Sequence, residues 1–278
     1  MKIHVINTGK FKLDGGAMFG VVPKTIWSKT NPADKNNMCS WAMRCLLIEF
    51  NDKKILIDTG IGNKQSDKFF QYFYLHGKDS LLKSLNEINI KPDQITDVFF
   101  THLHFDHCGG AIIKKNNKYE LLFKNARHLT NKAHWKLANN PNKREKASFL
   151  KENFELIKKQ NKLIFINEGN LYNNIEVRFF YGHTEAQMIP IISIGNKKLV
   201  FTADLLPSIG HIPLPYVMGY DTQPLITLKE KKLFLEEAAN NQYILFLEHD
   251  YKNECCTVKI TERGVKLDQY GKLEDLLS

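Results

Sequence analysis

The stretch Thr101–Gly110, THLHFDHCGG, carries three histidines and an aspartate between positions 102 and 107. It follows the apolar run Ile95–Phe100, ITDVFF, which reads as a buried strand. Single histidines are usually surface or satisfied core residues. Four metal-capable side chains in H-x-H-x-D-H, placed where a strand emerges, are a different matter. A turn after a strand can aim alternate side chains to different sides. His102 and His104 can then serve one metal ion while Asp106 and His107 serve a second. Imidazole and carboxylate suit zinc, iron, manganese and similar borderline cations. Gly109-Gly110 is expected to turn the chain sharply into a following helix.

A site for two metals needs further ligands, and three other strand ends offer them. His183 stands in the turn Tyr181-Gly182-His183-Thr184 after Ile175–Phe180, Asp204 follows Leu199–Ala203, and His249 follows Tyr243–Leu247. Functional side chains collect where scaffold strands give way to loops. Asp58, between Ile55-Leu56-Ile57 and Thr59-Gly60, has the same placement. A carboxylate there can orient a ligand histidine from behind.

Strand-like runs recur throughout: Lys2–Asn7, Cys45–Phe50, Lys54–Asp58, Thr96–Phe100, Ala126–Thr130, Leu163–Ile166, Ile175–Phe180, Ile189–Ile194, Lys198–Thr202, Tyr243–Leu247 and Thr257–Thr261. Helical patterns fall at Asp79–Ile88, Lys132–Asn139, Lys146–Asn161 and Thr227–Asn241. In the last, Thr227 and Glu230 have the spacing of a capping box that would fix its start. Asn51-Asp52 and Gly195-Asn196 join apolar runs as tight hairpins. No repeat or linker divides the chain, so 1–278 is expected to form a single α/β domain, with two sheets face to face and helices outside. Gly15–Met43 reads as a long loop with buried apolar content, fitting a lid, a homodimer contact or a segment packed on the core.

The 278 residues are 43% hydrophobic, enough for a substantial core, and no stretch has the length of a membrane span. The opening MKIHVINTG reads as a strand rather than the apolar core of a signal peptide, so a soluble, cytoplasmic protein is expected. A net charge of +9 invites a nucleic-acid reading, but only five of 39 basic residues are arginine and the lysines are scattered among acidic residues. Nucleic-acid recognition favours arginine forks and clustered patches, so that class is set aside. The five cysteines match no disulfide framework, and in Cys255-Cys256 the thiols are expected on opposite faces of a strand.

In chain order the motifs run D-T-G at Asp58–Gly60, H-x-H-x-D-H at His102–His107, G-H-T at Gly182–Thr184, A-D at Ala203-Asp204, and a late histidine at His249. This series resembles the metallo-β-lactamase superfamily. The opening Gly9–Lys24, GKFKLDGGAMFGVVPK, is similar to its lactonase-like branch, which includes quorum-quenching N-acyl-homoserine lactonases and phosphotriesterases of the methyl-parathion-hydrolase type. The resemblance implies a four-layer αββα sandwich. It implies one metal on His102, His104 and His183, a second on Asp106, His107 and His249, and Asp204 bridging both. Asp58 would support from behind, and Asp106 and Asp204 would count among the catalytic groups. It further implies two divalent ions, zinc first, with manganese, iron or nickel as alternatives, and a bridging hydroxide as nucleophile. The implied reaction opens a lactone ring or cleaves a related small ester, with a small-molecule substrate as partner and quorum quenching as context. A phosphotriesterase or arylesterase on the same site is the alternative, and a flavodiiron-type redox protein is disfavoured because His104 stands where that group has glutamate.

Two departures bear on substrate handling. Gln187 stands where the family often has a second histidine, and Pro207 stands where some lactonases place a tyrosine that donates to the substrate carbonyl. Tyr216 and Tyr220 are the alternatives for that tyrosine. His211, just beyond Asp204, is a candidate pocket residue. Cys108 is expected to pack rather than bind metal.

Overall fold

The computed structural model describes residues 1–278 and divides them into two compact units. The first comprises Met1–Phe11 and Met43–Asn167, the second Lys12–Ala42 and Glu168–Ser278.

The first unit carries a mixed sheet whose six strands lie in chain order: β1 (Lys2–Asp14), β2 (Met38–Phe50), β3 (Lys53–Ile57), β4 (Asp97–Phe99), β5 (Arg127–Thr130) and β6 (Leu163–Phe165). The outer ends of β1 and β2 pass into the second unit. β2 and β3 form an antiparallel hairpin through Asn51-Asp52, with Phe50 opposite Lys53 and Asn51 at φ 51°. From β3 onward the strands are parallel. Parallel strands at a sheet centre are covered on both faces, so they read as continuous apolar runs rather than alternating ones. Val98, Phe99, Leu56 and Ile57 are accordingly buried. A core of Ile6, Leu47, Leu56, Val98, Phe100, Phe123 and Phe154 forms beneath the helices Leu81–Glu87 and Lys132–Asn139.

The second unit carries a seven-stranded mixed sheet: β7 (Gly169–Tyr172), β8 (Ile175–Phe180), β9 (Gln187–Ile194), β10 (Lys197–Phe201), β11 (Ile244–Phe246), β12 (Cys255–Thr261) and β13 (Gly264–Gly271). Here too the strands are neighbours in chain order, and β10–β11 is the parallel pair. The connection between that pair contains the long helix Pro224–Asn240, as parallel neighbours require. β9 and β10 turn at Gly195-Asn196, with Gly195 at φ 60°. Both mixed sheets have flanking helices, as the expected α/β class requires.

Four expectations need correction. Lys146–Asn161 is no continuous helix: Phe149 and Leu150 are extended, with short helical turns on either side. The long helix begins at Pro224, not Thr227, with proline in its first turn. Glu230 does not close a capping box. Its two carboxylate oxygens accept the backbone N–H groups of Tyr181 and Gly182 at 2.8 and 3.0 Å. Gly109-Gly110 are needed for close approach rather than for a turn, since Gly109 has an ordinary φ of −61°. A Cβ on Gly109 would meet Ile61 O at 2.1 Å, and one on Gly110 would meet Thr59 O at 2.1 Å.

Within Gly15–Met43 there are two short helices, Gly15–Phe19 and Lys24–Trp27, and the segment's aromatics pack in the second unit. Phe19 stacks on Trp27 with ring centroids 5.3 Å apart and on His211 at 4.4 Å. All five cysteines are buried free thiols, Cys255 and Cys256 included, so both faces of β12 are covered there.

Candidate metal centre

His102, His104, Asp106 and His107 lie in the loop after β4 and in the short helix Phe105–Cys108, and all four are buried. His102 with His104, and Asp106 with His107, present possible ligand atoms within 4.8 Å of each other. The local fold of this loop is set by Asp58. Its Oδ1 accepts the Thr101 backbone N–H at 2.8 Å, and its Oδ2 accepts the Thr101 hydroxyl at 2.6 Å. The same Oδ2 lies 3.1 Å from His107 Nδ1. A carboxylate only accepts, so Nδ1 of His107 carries the proton and Nε2 presents its lone pair. Since the Thr101 proton goes to Asp58, its oxygen receives His102 Nδ1–H at 3.1 Å, which puts His102 in the same tautomer. Asp58 holds φ 57°, a left-handed conformation costing about 1–3 kcal/mol, tolerated where surrounding contacts over-determine it. Thr59 answers from the other side, with its N–H and hydroxyl donating to His107 O at 2.7 and 3.0 Å.

In the second unit, His183, Asp204 and His249 are likewise buried at strand ends. Asp204 presents one oxygen to each histidine: Oδ2 is 3.0 Å from His183 Nε2, and Oδ1 is 3.0 Å from His249 Nε2. Behind them, His183 Nδ1 donates to Asp221 Oδ1 at 2.9 Å, and His249 Nδ1 donates to Ala42 O at 2.8 Å. Burial works against a charge on His183, but the Asp204 and Asp221 carboxylates override it and raise its pKa to about 10. Glu230 fixes the turn that carries His183, and Gly182 leaves room for it, because a Cβ there would strike Thr227 within 2.5 Å.

These donors fit a metal by their chemistry. They are nitrogen and oxygen groups suited to zinc-like cations, and four histidines have the rear nitrogen tied to a carboxylate, hydroxyl or carbonyl. The buried histidine–aspartate clusters are consistent with a di-metal site. Cys108 stands aside from them: its thiol donates to Leu103 O at 3.4 Å and burial pushes it up to about 12.

Several partners were not foreseen from sequence. Asp221 carries no motif and lies 38 positions along the chain from His183. His134 accepts the Leu103 backbone N–H at 2.8 Å, between two candidate ligands, although nothing in its spacing marks it. His211 serves packing: Nε2 donates to Met18 O at 2.9 Å, Nδ1 accepts from Ser208 Oγ at 2.8 Å, and burial lowers its pKa to about 3. Asp250, beside His249 in sequence, is buried and accepts the N–H groups of Ile209, Lys252 and Asn253. Tyr216 meets Phe19 edge-on at 6.4 Å, whereas Tyr220 is exposed.

With that geometry in view, residues 44–249 match the metallo-beta-lactamase superfamily, and the chain belongs to it. It is 21% identical to an N-acyl homoserine lactonase of Bacillus cereus over 266 residues, covering 91% of this chain and 94% of the relative. Among solved structures it is similar to a probable metal-dependent hydrolase from Staphylococcus aureus, with TM-score 0.88, 31% identity, and coverage of 97% of this chain and 96% of that one. It is also similar to AidC, a dizinc quorum-quenching lactonase in complex with a product, N-hexanoyl-L-homoserine, with TM-score 0.77, 25% identity, and coverage of 96% and 93%. The chain is a metal-dependent hydrolase of this superfamily.

Proposed function

We propose that the chain opens the ring of an N-acyl-homoserine lactone or a closely related small lactone at a dinuclear metal centre. One ion would be held by His102, His104 and His183, the other by Asp106, His107 and His249, with Asp204 available to both. The observation that carries this reading is the anchoring of the histidines. Asp58, Thr101, Asp221 and the Ala42 carbonyl each hold a rear nitrogen, which leaves Nε2 of His107, His102, His183 and His249 as the coordinating atom. Two divalent ions, zinc first, would supply a polarised carbonyl and an activated water. The chain's own task is to hold four imidazoles aimed, and to offer Asp204 as a carboxylate with two separately directed oxygens.

An acyl chain as part of the substrate is supported by the neighbours of Phe105. This residue stands between two candidate ligands and meets Phe73 at 4.7 Å and Phe69 at 5.4 Å, all three partly exposed. Partly exposed aromatics beside polar groups are the usual lining of small-molecule sites. The lactonase relatives point the same way.

The test is comparative turnover by the zinc- or manganese-loaded protein of an N-hexanoyl-homoserine lactone, an aryl phosphotriester and an aryl ester. The lactone is expected to lead in kcat/KM by at least about tenfold, a difference of roughly 1.4 kcal/mol in transition-state stabilisation. A phosphotriester or aryl ester turned over faster than the lactone would replace this reading with a phosphotriesterase or arylesterase.

A further inference from the structure

Glu145 is a buried carboxylate that the ligand assignment leaves unused. Its Oε2 lies 3.6 Å from His104 Nε2, with only 9% and 5% of the two side chains exposed. Its other oxygen, Oε1, accepts from Asn142 Nδ2 at 2.6 Å. Asn142 Oδ1 in turn accepts the backbone N–H groups of Arg144 and Glu145 at 2.9 and 3.2 Å, so the turn fixes the carboxylate in one orientation. Phe149 closes the side, its ring 4.8 Å from that of His104. A carboxylate removed from water is costly unless a partner compensates it. Asn142 compensates one oxygen, and the His104 imidazole faces the other.

We infer that Glu145, set by Asn142, is a positioning residue for His104, accepting a hydrogen bond from Nε2–H so that Nδ1 is the coordinating nitrogen. The inference rests on the metal-site reading above and extends it to a residue without a motif. At 3.6 Å the contact is electrostatic and short of a hydrogen bond, and closing it requires a shift of roughly 0.7 Å to reach ordinary N–H···O distance. The same stretch of chain also grips the neighbouring residue. His134 receives the Leu103 backbone N–H, and its own N–H is held by Asn131 Oδ1 at 2.8 Å. Residues 131–149 thus hold the H-x-H segment twice, once through its backbone and once through a ring.

The experiment titrates cobalt(II) into the metal-free full-length protein against a chromophoric chelator, for wild type, Glu145→Leu, Glu145→Gln and Asn142→Ala. The visible cobalt spectrum and the metal-free melting temperature are recorded alongside. Wild type is expected to take about two ions. Glu145→Leu, of similar bulk but without an acceptor, should weaken one of them about 10–100-fold and alter the cobalt spectrum. Glu145→Gln retains an acceptor oxygen and should recover most of the affinity, with a metal-free melting temperature near wild type. Asn142→Ala should weaken binding several-fold, and it carries the test if Glu145→Leu fails to fold. Wild-type affinity and spectrum in Glu145→Leu, or in Asn142→Ala where the leucine variant does not fold, overturn the inference and leave the hydrolase reading standing. A wild type that binds no cobalt overturns both.

Discussion

His102–His107 announces its chemistry in sequence because four donors crowd into six positions. Asp58, Asp221, His134 and Glu145 do comparable work without any such crowding. Asp58 was found because it follows a buried strand directly. The others reach their partners through tertiary packing, across 38 positions for Asp221 and His183 and 31 for His134 and Leu103, so no local pattern exists to read. His128 shows what a histidine does when it has no such duty. It is buried in β5 near Phe100, with ring centroids 6.0 Å apart, and burial lowers its pKa to about 4. The unfolded chain therefore binds more protons than the native one between about pH 6.5 and 4. Native stability gains fully from this group above that window and loses it as pH falls through it. The loss is of the order of 3 kcal/mol. His128→Phe should flatten the fall in unfolding free energy between pH 6.5 and 4 by that order, measured by urea denaturation at each pH. Parallel slopes for the two proteins would show that His128 does not titrate with unfolding.

At the scale of elements, tight turns and buried strands are legible because each has a local cause. Asn51-Asp52 and Gly195-Asn196 sit where predicted, since a two-residue connection fixes register by itself. The helix expected over Lys146–Asn161 fails at Phe149, whose ring is drawn towards His104 at 4.8 Å and His134 at 5.7 Å. Tertiary packing overrides the helical period there. The capping box on Thr227 failed for a related reason: two backbone amides of the His183 turn claim Glu230. The same long helix holds the loop beyond Asp204 through Lys231. This lysine is 1% exposed, and its Nζ donates to His211 O at 3.0 Å, Pro213 O at 3.2 Å and Tyr216 O at 2.7 Å. Three donors meet three carbonyls. Lys231→Met should cost about 3 kcal/mol or more in urea unfolding, because the carbonyls stay buried after their donor is gone. An unchanged midpoint would mean that the loop does not depend on this contact.

For the whole molecule, class and architecture were readable because five motifs recur in family order from Asp58 to His249. The extra strands β7 and β13 were missed. β7 is four residues long and half-buried, and β13 is largely solvent-facing, so neither has the apolar run by which the others are legible. No helix is long and apolar enough to cross a membrane. The burial of all five thiols makes each a reporter of opening. A native protein that binds metal gains stability as RT ln(1 + [L]/Kd), about 4 kcal/mol at a thousandfold excess over Kd. Chelation should therefore lower the melting temperature by several degrees and speed thiol labelling at 37 °C, and added zinc or manganese should reverse both. Equal labelling rates with and without metal would dissociate metal binding from folding.

The thiols lie on both sheets and their connections: Cys45 on β2, Cys108 in the ligand loop, Cys39 on the outer end of β2, and Cys255 and Cys256 on β12. A thiol-reactive dye followed by peptide mapping would thus yield five separate clocks from an unmodified chain. Their relative rates would tell which sheet lets go first, with no probe engineered into the protein.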